Sequence, residues 1–241
     1  MKNLRYLLIF CLILAGNFVF AGTEVQIVKI NGDVKVRYGL DEQWRKAVVG
    51  EILKDIDTIF NGENAHSVLK LDDGTLFTLG SNSVLDVADL RKILEKEMFL
   101  FLMSQKVNSI ENSNNKTELR VGNVSVIHGM NARETNHEQI IEEQKLWSLK
   151  EIHGAIALYE NNYFSNCIVK MHTILSRYDS LANQEMIFLY LGQAFEALNK
   201  KGQAIDAYQK LLQILTLAKD QSGEKARKAD QIRLVIKNLS E

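Results

Sequence analysis

Alternating apolar and polar residues dominate the first half of the chain, from about residue 24 to residue 129. The segment 34–37 (Val-Lys-Val-Arg) alternates apolar and basic side chains, which is the period of a half-buried strand. Because it follows the turn residues Asn31-Gly32-Asp33, we predict a first hairpin at this turn. Further short apolar runs lead into a second turn at Asp72-Asp73-Gly74. This pattern predicts an all-β sandwich or roll of short strands.

One segment near the end of this half fits two patterns. The charged residues between 90 and 97 suit a helix, whereas the six consecutive apolar residues 98–103 suit a buried strand. We predict a strand that begins at about Glu97. A last alternating strand is expected at 121–127.

After about residue 133 the chain changes to helical spacing. Leu, Ala, Lys, Glu and Gln recur at that spacing up to the C-terminus, which predicts an all-α second half. Two internal units can be aligned, one near 149–178 and a clearer one near 185–215. The segment 226–239 is typical of a closing amphipathic helix.

The clearer unit has the residue sizes that two closely packed helices need. The small residues Gly192 and Ala204 would let the helices approach each other, and Tyr208 would fill the seam between them. We therefore predict a solenoid of helical hairpins that stack on one another.

The N-terminal residues carry the pattern of a secretory signal. Lys2 and Arg5 precede an apolar run, and small residues lead up to Ala21. We predict a signal peptide over 1–21, a β domain over 22–132 and a helical domain over 133–241. The alternative to cleavage after Ala21 is an uncleaved anchor. Either way, an exported protein is expected, in the periplasm or at the cell surface.

Composition and chemistry favour a non-enzymatic protein. Lys and Arg total 29 against 30 for Asp and Glu, so the net charge of -1 gives no global reason to bind nucleic acid. Cleavage after Ala21 would leave Cys167 as the single cysteine, which excludes an internal disulfide. The five histidines lack metal-ligand spacing, and no phosphate loop or nucleophile motif occurs. We expect no catalytic residue, no metal and no cofactor.

Between about residues 25 and 130, a series of glycine, aromatic, aliphatic and acidic residues can be compared with a known family pattern. These residues are Gly32, Trp44, Gly50, Leu53, Asp57, Ile59, Gly62, Ala65, Leu69, Leu71, Asp73-Gly74 and Ser83-Val84-Leu85. In order and spacing they resemble a FecR-type domain. The family's Gly-Asp before the isoleucine is here Ile56-Asp57. The resemblance implies a periplasmic β domain in which these residues define the fold. The family includes regulators that signal to a sigma factor through a cytoplasmic segment. Because only Met1 to Arg5 precede the apolar run, we expect no sigma-factor relay here.

The second half, over about 145–240, resembles tetratricopeptide repeats. Such repeats offer a concave groove to a protein partner. We place this groove on the first helix of each repeat, with Asn161, Gln193 and Glu196 as candidate contact residues. The proline that usually ends a repeat is missing, because the chain contains none.

Two functions follow from these patterns. The first is an envelope scaffold that binds partner proteins through the repeats and the FecR-like domain. The alternative is a periplasmic signal-input module that binds a cell-wall glycan or a receptor segment. Glycan binding would need exposed aromatic side chains on the β half, where Tyr38, Trp44 and Phe77 are available. Of these, Trp44 occupies a position that we expect in the core.

Overall fold

The computed structural model describes residues 24–114, 137–178, 181, 184–217 and 223–241, with the side chains of 106–114 and of 137 and 138 excepted. The predicted signal peptide, the strand predicted at 121–127 and the domain boundary predicted at 132/133 lie outside the described residues.

Among the described residues, eight short strands follow one another: β1 (Glu24–Asn31), β2 (Val34–Arg37), β3 (Arg45–Lys46), β4 (Ile52–Lys54), β5 (Thr58–Asn61), β6 (His66–Leu71), β7 (Leu76–Leu79) and β8 (Ser83–Asp86). They form two four-stranded antiparallel sheets, with the orders β4-β1-β6-β7 and β3-β2-β5-β8. The hairpin predicted at Asp72-Asp73-Gly74 is confirmed, because β6 pairs with β7.

The hairpin predicted at Asn31-Gly32-Asp33 is wrong. β1 pairs with β4 and β6, whereas β2 pairs with β3 and β5, so this turn leads from one sheet to the other. Gly32 allows the tight crossing, because its φ is +82° and a Cβ there would lie 2.8 Å from the Cα of Ala65. The alternation of apolar residues shows which side chains are buried, but it does not show which strand is the neighbour.

The inner faces of the two sheets form an apolar core around Ile27, Leu53, Ile59, Leu69 and Phe77, all fully buried. Polar side chains hold the turns around it. The carboxylate of Asp57 accepts hydrogen bonds from the backbone N–H groups of Gly39 and Lys54, at 2.9 and 2.8 Å. Gly50, Gly62 and Gly74 lie in turns or at strand ends.

A 3-10 helix over Val87–Leu90 precedes the six α-helices of the part of the chain that the structure describes: α1 (Glu95–Asn114), α2 (His137–Glu160), α3 (Phe164–Arg177), α4 (Gln184–Ala197), α5 (Lys201–Leu217) and α6 (Glu224–Ser240). The strand predicted from Glu97 is therefore wrong. Glu97 accepts a hydrogen bond from the N–H of Leu94 at 3.1 Å, which is half of a capping box. Met98 is buried while Phe99 and Leu100 are 56% and 57% exposed, so only part of the apolar run faces the protein.

The two halves pack against each other. α2 lies on β7 and β8, and the buried apolar residues of the sheets and of the helices form one contiguous cluster. The cores of the two halves are therefore continuous across this boundary.

Candidate functional site

The two helical hairpins α2–α3 and α4–α5 have the same turn. Asn162 donates its N–H to the carbonyl of Tyr159, and Tyr163 donates to Leu158. The second turn repeats both bonds 37 positions later, from Asn199 and from Lys200. Both asparagines have left-handed backbone, with φ of 66° and 56°, as the Schellman motif requires. The helical half therefore contains an internal structural repeat.

The packing within the second hairpin agrees with the prediction from residue size. Gly192 lies against the ring of Tyr208, where a Cβ would come within 2.3 Å of the ring. Ala204 and Tyr208 are buried, with exposed fractions of 0% and 2%. The hydroxyl of Tyr208 donates a hydrogen bond to Glu196. This bond ties α5 to α4 at the edge of the seam.

The three residues predicted to line a partner groove have different surroundings. The side-chain amide of Asn161 is hydrogen-bonded to the backbone of Thr78, and the carboxylate of Glu196 accepts from Tyr208. Gln193 is half-buried on α4 and makes no hydrogen bond to any described residue. Gln193 is thus the one of the three whose side chain has no polar partner among the described residues.

Backbone contacts and short polar bonds connect α2 to the β half. A Cβ at Gly154 would lie 2.0 Å from the carbonyl oxygen of Val84, so the helix backbone rests directly on β8. About two turns further on, directly after the end of α2, Asn161 accepts from the N–H of Thr78 and donates to its carbonyl, both at 2.9 Å. β7 is an edge strand, and the amide of Asn161 pairs with the backbone groups of Thr78 on that edge.

A buried ion cluster joins the same two halves. Lys170 on α3 is 5% exposed, and its Nζ lies 2.9 Å from Asp86 at the end of β8 and 2.6 Å from Asp89 of the 3-10 helix. Glu151 on α2 is also buried, and its Oε1 lies 2.6 Å from Arg177. The cluster therefore contains three carboxylates and two cations, contributed from both halves.

The ion cluster shifts the pKa of its members in different directions. Burial raises the pKa of Asp89 and of Glu151, although Lys170 acts against both shifts. Burial would also raise the pKa of Asp86, but Lys170 and the hydroxyl of Thr58 hold it below its usual range. The pKa of Lys170 is raised, because three nearby carboxylates outweigh its burial. Lys170 is thus charged at every physiological pH.

An open cleft of about 470 Å³ lies where the loops of both halves meet. Its walls include Asp73 from the β6–β7 turn, Arg91 from the segment after the 3-10 helix, and Tyr163 from the α2–α3 turn. Leu198, which follows α4, contributes an apolar side chain. The volume suits a small molecule or a side chain of a partner.

The aromatic residues considered for glycan binding do not lie as expected. Phe77 is fully buried, and Tyr38 is half-buried beneath the guanidinium of Arg45. Trp44, expected in the core, is half-buried and packs against Phe60 and Trp147. The residue order that predicts a β core does not show which face of the second sheet α2 will cover.

Cys167 lies in the core between helices. Burial raises the pKa of its thiol to about 12, so the thiolate that a nucleophile needs does not form at neutral pH. In the described part of the chain, no cluster of three or more His, Cys, Asp or Glu side chains could hold a metal ion. None of the helices described is long and apolar enough to cross a membrane.

Comparisons with protein-family models, with curated proteins and with solved structures find no match to this chain. The resemblances to FecR-type domains and to tetratricopeptide repeats therefore stay predictions.

Proposed function

We propose that this chain is a non-enzymatic scaffold protein of the bacterial envelope that binds a partner protein through its helical repeats. The observation that carries the proposal is the repeated hairpin, whose turns match bond for bond at a spacing of 37 residues. Stacked helical hairpins form extended surfaces that are used mainly to bind other proteins. The spacing exceeds the 34 residues of a tetratricopeptide repeat, so the repeats are of a lengthened, TPR-like kind.

The FecR-like β half acts in this proposal as the N-terminal cap of the repeats. A solenoid needs an end that covers the apolar side of its first repeat, and β8 lies against the first helix of the first hairpin. α6 packs on α5 and covers the other end. Two repeats could not form a stable stack without such caps.

The binding face is the side of α4 that carries Gln193. This side chain is half-buried and has no polar partner among the described residues, whereas Asn161 and Glu196 are hydrogen-bonded within the protein. A partner could therefore bond to Gln193 without breaking a bond of the fold.

Site-specific photocrosslinking in the envelope of the source cell tests the proposal. A benzophenone amino acid replaces Gln193 on α4 or, as the matched control, the exposed Gln213 on α5 of the same hairpin. The full chain with its N-terminal segment is expressed, so that export takes its natural course. A discrete covalent adduct with one protein is expected from position 193 and not from position 213. The same adducts from both positions, or none from position 193, would contradict the proposal.

Export itself is a separate proposal and has its own measurement. Mass spectrometry of the protein recovered from the envelope should find a chain that begins near Gly22. A chain that starts at Met1 would support the uncleaved anchor, and recovery from the cytoplasm alone would contradict the envelope location.

A further inference from the structure

The two tryptophans of the chain meet across the boundary between the halves. The rings of Trp44 and Trp147 have centroids 6.1 Å apart and planes tilted by 53°, and Phe60 lies 5.8 Å from Trp44. Cations lie over these rings. The guanidinium of Arg37 is 5.3 Å from the Trp44 ring, and the ammonium of Lys150 is 4.9 Å from Phe60 and 5.5 Å from Trp147.

Lys46 is a further cation beside these rings, as the strand register shows. Lys35 on β2 lies directly opposite Lys46 on β3 and, on its other side, opposite Phe60 on β5. Like charges in directly opposed positions destabilise a sheet, so the pairing of Lys46 with Lys35 does not stabilise the fold. We call the surface formed by Arg37, Lys46, Lys150, Trp44, Phe60 and Trp147 the basic aromatic face.

The positive charge of this face is only partly neutralised within the protein. Asp33 pairs with Lys35 at 3.1 Å, and Glu63 acts on Lys150 from a longer distance. Lys46 and Lys150 form no ion pair with any described residue, and burial lowers the pKa of Lys150. Such uncompensated charges favour an anion from outside.

Arg37 contributes hydrogen-bond donors that are only partly paired. One of its terminal nitrogens donates to the hydroxyl of Thr58 at 3.2 Å, while its Nε is buried without an acceptor. An anion bound next to the face would lower the energy of this unpaired cation through space, without direct contact with Nε.

We propose that the basic aromatic face binds an anionic polysaccharide, a ligand distinct from the protein partner proposed above. Acid groups of the polysaccharide would contact Lys46 and Lys150. The apolar faces of its sugar rings would pack on the parts of the Trp44 and Trp147 rings that Arg37 and Lys150 leave exposed. The tilt of 53° between those indoles suits separate sugar rings rather than a stack of parallel bases. An acidic peptide would use the cations but leave the three rings without a matching surface.

Intrinsic fluorescence gives a local test, because both tryptophans of the chain belong to this face. The full-length protein is titrated with polygalacturonate, whose every sugar carries a carboxylate. The methyl ester of the same polymer removes the charge and keeps the rings. Poly-L-glutamate and oligodeoxythymidylate supply the charge on a peptide or on a nucleic acid. A saturable change in tryptophan emission is expected with polygalacturonate, and at least tenfold weaker binding with the other three.

Charge-removing variants locate the site. Lys46→Gln and Lys150→Gln should each weaken polygalacturonate binding about fivefold, because each removes one charge-assisted contact in a partly wet site. Lys201→Gln, on the exposed start of α5, is the matched control and should bind as the wild type. Thermal unfolding checks that all three variants fold.

Four results would overturn the proposal. These are an unchanged affinity in the Lys46→Gln, Lys150→Gln double variant, equal binding of the methyl ester, equal binding of poly-L-glutamate or the oligonucleotide, and no response to polygalacturonate. None of them bears on crosslinking at Gln193, so the two proposals fail independently.

Discussion

Gly154 of α2 and Val84 of β8 are in backbone contact, because the position of a Cβ at Gly154 is only 2.0 Å from the carbonyl oxygen of Val84. No other residue type fits at 154 unless the helix and the strand move apart. The shared core, the amide of Asn161 and the ion cluster around Lys170 all depend on the same close approach. We therefore expect the β half and the helical half to unfold as one cooperative unit.

Gly154→Ala should destabilise the whole protein. The added methyl group meets backbone, which cannot turn aside as a flexible side chain would, so we expect a loss of about 3 kcal/mol in the free energy of unfolding. Urea unfolding followed by circular dichroism measures it. Gly202→Ala is the matched control, since a Cβ there meets nothing within 4 Å and should be neutral or stabilise by about 0.5 kcal/mol. Equal stabilities of the two variants would show that the contact at Val84 is not rigid.

Lys170→Met should be among the most damaging substitutions in the ion cluster. It leaves Asp86, Asp89 and Glu151 buried or half-buried with Arg177 as the remaining cation, so we expect a loss of about 3 kcal/mol. Urea unfolding at neutral pH measures the loss. We also expect α3 to move away from β8 in this variant, which should make amide exchange faster in both elements.

Two further variants separate charge from packing at Lys170. Adding Asp86→Asn and Asp89→Asn to Lys170→Met removes the unpaired charges and should recover part of the stability. Lys201→Met, at an exposed position, should change little. If the triple variant is no more stable than Lys170→Met alone, then lost packing rather than unpaired charge explains the damage.

Helix and strand periods were enough to predict the two halves, the repeated hairpins and the β6–β7 turn. They could not predict α1, because the six apolar residues 98–103 fit a strand equally well and the decisive bond runs from Leu94 to Glu97. They also missed the ion cluster. Lys170 and Asp86 are 84 positions apart, and their pairing follows from how α3 packs against the 3-10 helix that follows β8. The one signal in the sequence was a lysine at helical spacing among buried residues, three positions after Cys167 and four before Ile174.

The predicted groove residues also show that sequence spacing does not predict long-range contacts. Asn161 lies in the predicted turn, and local spacing correctly indicates a polar residue near the surface. Its amide bonds to Thr78, which lies on a sheet edge and is 83 positions away in the chain. Long-range pairs of this kind are what period and spacing leave undetermined.

Glu151→Gln should change the pH dependence of stability in a defined direction. The pKa of Glu151 is raised by burial, so its proton is bound more tightly in the folded chain than in the unfolded one. Its contribution to stability is fully present below the unfolded pKa and is lost as pH rises through the raised value. Gln has no such titration. The Tm of the variant minus the Tm of the wild type should therefore be more positive at about pH 8 than at about pH 4.

Asp73→Asn is the control of opposite sign. Hydrogen bonds from Thr75 lower the pKa of Asp73, so its contribution is present above its unfolded pKa and is lost as pH falls. The same Tm difference should be more negative at about pH 8 than at about pH 4. If the two variants show the same sign, the environment of Glu151 does not favour its protonated form.

Asn161→Ala and Asn161→Asp should differ in a way that identifies the edge-strand bond. The alanine removes both bonds to Thr78 and leaves these exposed backbone groups of β7 to bond with water, at a cost of about 1 kcal/mol.

The aspartate keeps an acceptor for the N–H of Thr78 but places a carboxylate against its carbonyl. Amide hydrogen exchange distinguishes the two variants. The Thr78 amide should lose protection from exchange in Asn161→Ala and keep most of that protection in Asn161→Asp. Asn162→Gly, which suits the left-handed backbone at φ 66°, should leave that amide unchanged. Equal exchange at Thr78 in all three variants would mean that α2 is held on the sheet by the contact at Gly154 and not by Asn161.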